Sequence, residues 1–430
     1  MNRKTKDFII IGFALFSLFF GAGNLIFPPK LGQLVGIQYY LGIIGFCATG
    51  VFIPILGLVT CMKNHGNFEE LSLPVGKNFS KVFSITIVLL IGPLIAIPRT
   101  AATTFSIAIH PNFPKSNIIE FLIIFLLIDF FLVIKPSGII KLVGTYLTPV
   151  LLMILLGLII KGVISPISIY STFHPVDAFS KSLTEGYQTM DTLASIIFAS
   201  LIMGTIREKG YKREEKIALV VKSSIIAITG LCVVYGGLIY LGSRTGILGN
   251  GMSNTSLLLF ISKEVLGRLG TIGIEIVLAI GCIATSIGLL SASSEFFVRI
   301  SNNKIKYNYA LITMLIVTGI IASAGLGKII SISTIVLDII YPVTIVIILL
   351  NLIKPIVRSN FVFKLCAYVT LIVSILDEIP SIAPIMNHIP LTNLGFGWII
   401  PFIIAFIIGS LLPKKNIDDN NKKHKNAIIA

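Results

Sequence analysis

The sequence predicts an all-α membrane protein of about twelve spans, the first ten arranged as two sets of five in opposite orientation. Three observations predict it. Of 430 residues, 55% are hydrophobic and only 12% are charged, with a mean hydropathy of +0.96, whereas soluble domains carry about 25% charged residues. Apolar runs of roughly 20 residues, enough to cross a bilayer, recur along the chain. The first and sixth runs are interrupted by residues foreign to a continuous membrane helix. Interruptions at matching places in two halves mark inverted repeats with a binding site at their interface.

The spans fall at 8–31, 38–62, 80–109, 118–134, 140–162, 186–206, 217–241, 271–298, 308–325, 329–353, 361–378 and 396–412. The third is long, which predicts tilt or extension beyond the membrane. The organisation is then a short tail (1–7), a first repeat (8–163), a second repeat (164–353), two added helices (354–412) and a basic, Asn- and Lys-rich tail (413–430) whose composition predicts disorder. Residues 243–270 read as an external loop with a short amphipathic helix over 256–269. The stretch 379–397, with Pro380, Pro384 and Pro390, reads as an irregular external connection.

An even number of spans puts both ends on one side. On that topology 25 of the 34 Lys and Arg residues fall with the termini, among them Arg3, Lys4, Lys6, Arg207, Lys209, Lys212 and Arg213. Eight fall on the other side and Arg99 lies inside a span. Positive loops stay in the cytoplasm, so both termini are expected there. This bias accounts for the net charge of +15 without nucleic acid as a partner. The first run is too long for a secretory signal and no small-residue cleavage site follows it. The five cysteines, Cys47, Cys61, Cys232, Cys282 and Cys366, lie scattered in apolar segments with neither metal-ligand spacing nor a disulfide pattern. No phosphate loop, nucleophile elbow or zinc motif appears, which argues against an enzyme and against a resident metal or cofactor.

The chemistry concentrates at the interruptions. In the first span Gly21-Ala-Gly-Asn24 sits mid-run and Pro28-Pro29 follow. Glycine adopts non-helical dihedrals at little cost and proline removes a donor, so the helix is expected to break near Phe20–Asn24 and restart. Peptide groups bared in hydrocarbon cost several kcal/mol each unless protein or ligand satisfies them; such a break therefore lines a cavity. Close packing of small residues is the competing reading. In the sixth span Gln188, Thr189, Asp191 and Thr192 make a polar patch around Met190, and an acid at membrane depth normally faces a cavity. In the eighth, Thr285 and Ser286 are neighbours about 100° apart on a helix, so their hydroxyls can flank one small ligand. With carbonyls freed by the first break they suit Na+; the alternative is back-bonding to their own helix.

Three stretches, Gly21-Ala-Gly-Asn-Leu-Ile-Phe-Pro-Pro29, Gly92-Pro-Leu-Ile-Ala-Ile-Pro-Arg-Thr-Ala-Ala102 and Tyr187-Gln-Thr-Met-Asp191, resemble the bacterial branched-chain amino acid:cation symporter family, the transport system II carriers. The likeness runs from about Phe8 to the twelfth span. It implies a LeuT-type fold of two inverted five-helix repeats with helices 1 and 6 broken, in the cell membrane of a bacterium. It also implies import of leucine, isoleucine and valine driven by sodium. The wider superfamily implies that the amides of Ala22 and Gly23, beside Asn24, take the substrate carboxylate and that the Phe19 carbonyl takes the ammonium. Thr189, Met190 and Asp191 complete the substrate site. The carbonyls of Ser17, Phe20 and Cys282 with the hydroxyls of Thr285 and Ser286 form the sodium site.

Arg99, with Asp338 and Glu275 as candidate partners, is read either as a gate or as a fixed buried ion pair. Asp129 and Glu295 read as interfacial. Sodium symport is the leading function, with alternating access around a midplane site. A proton-coupled permease using Asp191 as carrier is the alternative, and a channel or membrane sensor is a more distant one.

Overall fold

The computed structural model describes residues 3–64, 66, 68–134, 148–168, 170, 177–208, 210–211, 213–354, 356–357 and 359–412. The start of the fifth predicted span, the basic tail after 412, and Lys135, Lys141, Lys209, Lys212 and Arg358 lie outside the described residues. The described chain is helical, with no strand. Among the described residues six helical stretches are long and apolar enough to cross a membrane, and three shorter apolar helices accompany them.

The first span is two helices. α1 runs Arg3–Phe19 and α2 runs Ala22–Val35. Gly21 lies between them in extended conformation (φ −106°, ψ −167°). Pro28 and Pro29 do not end α2, which continues through both. They withhold the amides that the Asn24 and Leu25 carbonyls would otherwise receive, so the half-helix keeps its shape while its first turn has spare acceptors.

The second span is a single rod, α3 (Tyr39–Cys47) and α4 (Ile53–Lys63) joined by a π-turn at Ala48–Phe52. The third is not one tilted rod. α5 (Lys77–Leu89) meets a π-turn at Leu90–Leu94 in which Gly92 leaves helical geometry (φ −88°, ψ −120°), and α6 (Ala96–Thr104) restarts beyond it before another π-turn at Phe105–Ile109. Its length reflects this offset at Gly92–Pro93, since the proline has no amide to hold the ladder. α7 (Ile118–Val133) and α8 (Thr148–Ile164) follow.

The second half opens with α9 (Ala178–Tyr187) and α10 (Asp191–Glu208), which flank the second interruption. α11 (Arg213–Ser243) lies along α2. The two cross so closely that a Cβ on Gly32 would sit 1.9 Å from the Ile239 carbonyl oxygen and one on Gly242 would sit 2.0 Å from that of Pro29. α12 (Asn254–Ile300) contains both the predicted amphipathic segment and the eighth span. It is elbowed at Gly267, whose φ of +68° is left-handed and suits glycine. α13 (Tyr307–Ala322), α14 (Leu326–Leu352), α15 (Asn360–Asp377) and α16 (Ile399–Leu411) complete the bundle. The connection before α16 is turn-rich, as predicted.

Burial sorts these rods. All residues from Ile11 to Pro29 except Phe13 are buried, including the whole first turn of α2, while α7 turns Ile119, Ile123, Ile124, Leu127 and Phe131 outward. A helix apolar all round is what lipid demands. The broken helices are thus central, and continuous ones shield them.

Candidate functional site

Asn24 joins the two interruptions. It is the third residue of α2, and its Oδ1 accepts the Gly21 amide at 3.1 Å, capping the half-helix from inside. Its Nδ2 donates to Asp191 Oδ2 at 2.6 Å and to the Tyr235 hydroxyl. Tyr235 in turn donates to Asp191 Oδ2 at 3.5 Å. With the Gly21 amide committed, the Ala22 and Gly23 amides are left without partners inside the helix and stand at its positive end.

The second interruption is built differently. α9 ends at Tyr187, and Met190 adopts φ +65°, unusual for a side chain with a Cβ. Thr189 Oγ1 donates to the Gly186 carbonyl at 2.9 Å and accepts the Asp191 amide at 3.3 Å. Asp191 is the first residue of α10, where a carboxylate meets the helix dipole favourably. The Thr192 amide donates to the Tyr341 hydroxyl at 3.3 Å, and Tyr341 stacks on Tyr187 with ring centroids 4.6 Å apart. The turn's outward carbonyls belong to Gln188 and Thr189. Arg99 on α6, 3% exposed, takes both, with Nη1 donating to Gln188 at 2.7 Å and Nη2 to Thr189 at 3.4 Å.

The expected pairing of Arg99 with Asp338 or Glu275 is therefore not found. Among the described residues Arg99 forms no ion pair, because the bend at Gln188–Thr189 offers it carbonyls instead. Glu275 accepts from Asn112 Nδ2 at 2.9 Å. Asp338 lines a separate cleft with Asp177, Lys181, Asp377 and Glu378.

Thr285 and Ser286 part company. Thr285 Oγ1 donates to the Phe20 carbonyl at 3.4 Å across the first break. Gly281 lies close beneath: a Cβ there would stand 3.2 Å from the same oxygen. Ser17 Oγ is buried with no hydrogen-bond partner, and the Ser17 carbonyl accepts the Phe20 amide at 3.2 Å. Ser286 instead donates to Asp129 Oδ2. The two hydroxyls thus flank different partners, because the 100° between them turns Ser286 towards α7. Asp129 is fully buried, not interfacial, and its Oδ1 has no partner. Glu295 is exposed beside Arg207 and Arg299. Cys282 is buried within an unbroken part of α12, and Phe19 packs edge-to-face on Phe198 at 5.7 Å.

Gly21, Ala22, Asn24, Arg99, Met190, Asp191 and Thr285 line one enclosed cavity of about 20 Å³. A wider cavity of about 250 Å³ opens at the end of the bundle holding Arg207, Glu295 and Arg299, and reaches inward to Ile196 and Ala292. The small cavity has room for about one water. Its walls carry a helix N-terminus, a buried cation and a buried carboxylate, the elements that hold a zwitterion. Tyr235 and Tyr341 were not legible as site residues, and Asp129 was read as interfacial. A tyrosine in an apolar run leaves no periodic signal, whereas Asp129, a lone acid within a span, carried one.

The profile of the branched-chain amino acid transport protein family matches residues 4–416. The chain is 33% identical over 442 residues to the branched-chain amino acid permease BraB of Bacillus subtilis, covering 97% of this chain and 99% of that one. It is 31% identical to the branched-chain amino acid transport system 2 carrier protein of Pseudomonas aeruginosa over 421 residues, covering 95% and 96%. Among solved structures, the nucleobase-cation-symport-1 family transporter Mhp1 in a closed conformation aligns with a TM-score of 0.64 at 11% identity, covering 94% of this chain and 91% of that one. MhsT in complex with L-phenylalanine aligns with a TM-score of 0.56 at 15% identity, covering 93% and 98%. Both have the LeuT-type fold, and so does this chain.

Proposed function

Because the chain belongs to the branched-chain amino acid transport protein family, and so carries branched-chain amino acids through a membrane, we propose that it imports leucine, isoleucine and valine together with sodium. The observation that carries the reading is the enclosed cavity where both breaks meet, lined by the first turn of α2, Arg99 and Asp191. The substrate carboxylate sits at the Ala22 and Gly23 amides. Its ammonium sits towards Asp191 and the Phe19 carbonyl. Sodium, the co-transported cargo, is held by the Ser17 and Phe20 carbonyls and Thr285, with Cys282 and Ser286 behind them. The fit rests on oxygen chemistry: the buried Ser17 hydroxyl lacks a partner, and the Phe20 carbonyl receives only a long bond from Thr285.

Access alternates as one bundle of helices rocks against a scaffold, opening the midplane site to each side in turn. The bias of positive loops supports both termini in the cytoplasm of a bacterial cell, which makes the 250 Å³ cavity the inner vestibule. One charge entering with each cycle gains about 2.3 kcal/mol per 100 mV. The test is uptake of labelled leucine into proteoliposomes under an inward sodium gradient, against potassium or choline. Accumulation that collapses without sodium is expected. Accumulation driven by a pH gradient alone would move the coupling to protons and make Asp191 the carrier.

A further inference from the structure

The guanidinium of Arg99 has two edges, and only one is well used. Nη1 makes a 2.7 Å bond to the Gln188 carbonyl. The opposite edge pairs the Nε–H with an Nη2–H, the fork that matches a carboxylate with two parallel hydrogen bonds. Here Nε is buried with no partner at all, and Nη2 has only the 3.4 Å contact to the Thr189 carbonyl. Unpaired donors on a buried charge are expensive. Among the described residues no carboxylate forms an ion pair with Arg99; Phe27 lies under it, 5.6 Å from ring centroid to Cζ.

The open edge has a definite direction. A Cβ built on Gly23 would stand 2.9 Å from Arg99 Nη2, so this end of the fork lies against the start of α2. The same cavity is lined by Gly21, Ala22 and Asn24 and by Asp191, which Asn24 bonds at 2.6 Å. Two positive features, a helix N-terminus and a guanidinium, thus border one cavity beside a buried carboxylate. Two anion-attracting groups on one cavity can share an anion.

We propose that the Nε–Nη2 edge of Arg99 is the carboxylate receptor of the amino-acid site, closing on the substrate from the side opposite the Ala22 and Gly23 amides. This rests on the transport reading above and deepens it: the substrate is then read as an α-amino acid by its carboxylate, and not by its side chain and ammonium alone. The Gln188 bond holds the planar group in place so that its free edge stays aimed. Arginine is required because lysine supplies a point charge without the fork.

The experiment compares ligands that differ only at the carboxylate. Binding of leucine and of leucinamide is measured on the purified protein by competition against labelled leucine and by ligand-induced rise in unfolding temperature, for wild type, Arg99→Lys and Arg99→Gln. Wild type is expected to prefer leucine to leucinamide by on the order of 100-fold, the value of a charge-assisted bidentate pair at about 1.4 kcal/mol per tenfold. In Arg99→Gln leucine binding falls by that factor, leucinamide changes less than about threefold, and the preference disappears; Arg99→Lys keeps part of it. Equal losses for both ligands would make Arg99 a structural strut and overturn the proposal. So would a wild-type protein that binds leucinamide as tightly as leucine, a result that needs no variant to fold. Wild-type protein that binds neither ligand would count against the transport reading instead.

Discussion

The two helix breaks do the same thing by opposite means. At the first, a glycine goes extended and the neighbouring Asn24 caps the restarted helix from within its own first turn, so the break leaves amides on offer. At the second, a methionine is held left-handed and the outward groups are carbonyls, stitched by an arginine from a different helix. A donor end and an acceptor end therefore meet at one cavity, the first capped by a neutral amide and the second held by a guanidinium. One break is self-sufficient and the other is supported from outside. Substitutions should separate them.

The largest effect is expected from Asn24→Ala, which removes the bond between the breaks as well as the cap. The Gly21 amide and the Asp191 carboxylate each lose a buried partner, and a hydrogen bond to a charged group is worth about 1.5–3 kcal/mol. Leucine uptake should fall by roughly 100-fold, with a lowered unfolding midpoint; near-normal uptake would mean that the breaks act independently.

Next come the two hydroxyls of α12. Thr285→Ala touches the first break and should raise the sodium concentration for half-maximal uptake about tenfold, at little cost in stability, since the bond it loses is long. Ser286→Ala leaves Asp129 without its donor and should lower stability by about 1–3 kcal/mol, with a smaller effect on sodium. Identical sodium titrations of both variants and wild type would remove this site from the cation path.

Met190 tests the strain at the second break. A β-branched residue at positive φ is a genuine outlier, so Met190→Val should cost about 1–2 kcal/mol by thermal unfolding. Met190→Gly, which fits the dihedral but deletes a buried side chain, should cost less than Met190→Ala, for which about 2–5 kcal/mol is expected, because glycine relieves the strain that alanine keeps. The smallest change is Tyr235→Phe, expected to cost about 1 kcal/mol and a few-fold in uptake, because Asn24 still reaches Asp191 directly.

Much of this was legible beforehand. The interruptions at Gly21 and at Met190 could be read because a membrane leaves so few reasons for Gly-rich or acidic residues mid-span. The offset at Gly92 was missed, although Gly92-Pro93 carries the same kind of signal, since a long apolar run also fits simple tilt. Pro28 and Pro29 misled in the other direction: they sit inside an intact helix. The partners of Arg99 and Ser286 were beyond reach for a plainer reason. Spacing on one helix says which residues share a face, but not which neighbouring rod supplies the opposite face, and that depends on packing across the whole bundle.

The void between the breaks is about 20 Å³, room for about one water. If the proposed site holds the cargo, no mould for it is preformed, and the aliphatic tail has to wedge its own room by spreading Met190, Leu18 and their neighbours apart. Discrimination among the three branched residues then reflects how cheaply the surrounding rods yield to each shape, a matter of bundle compliance and not of fit to a fixed cast.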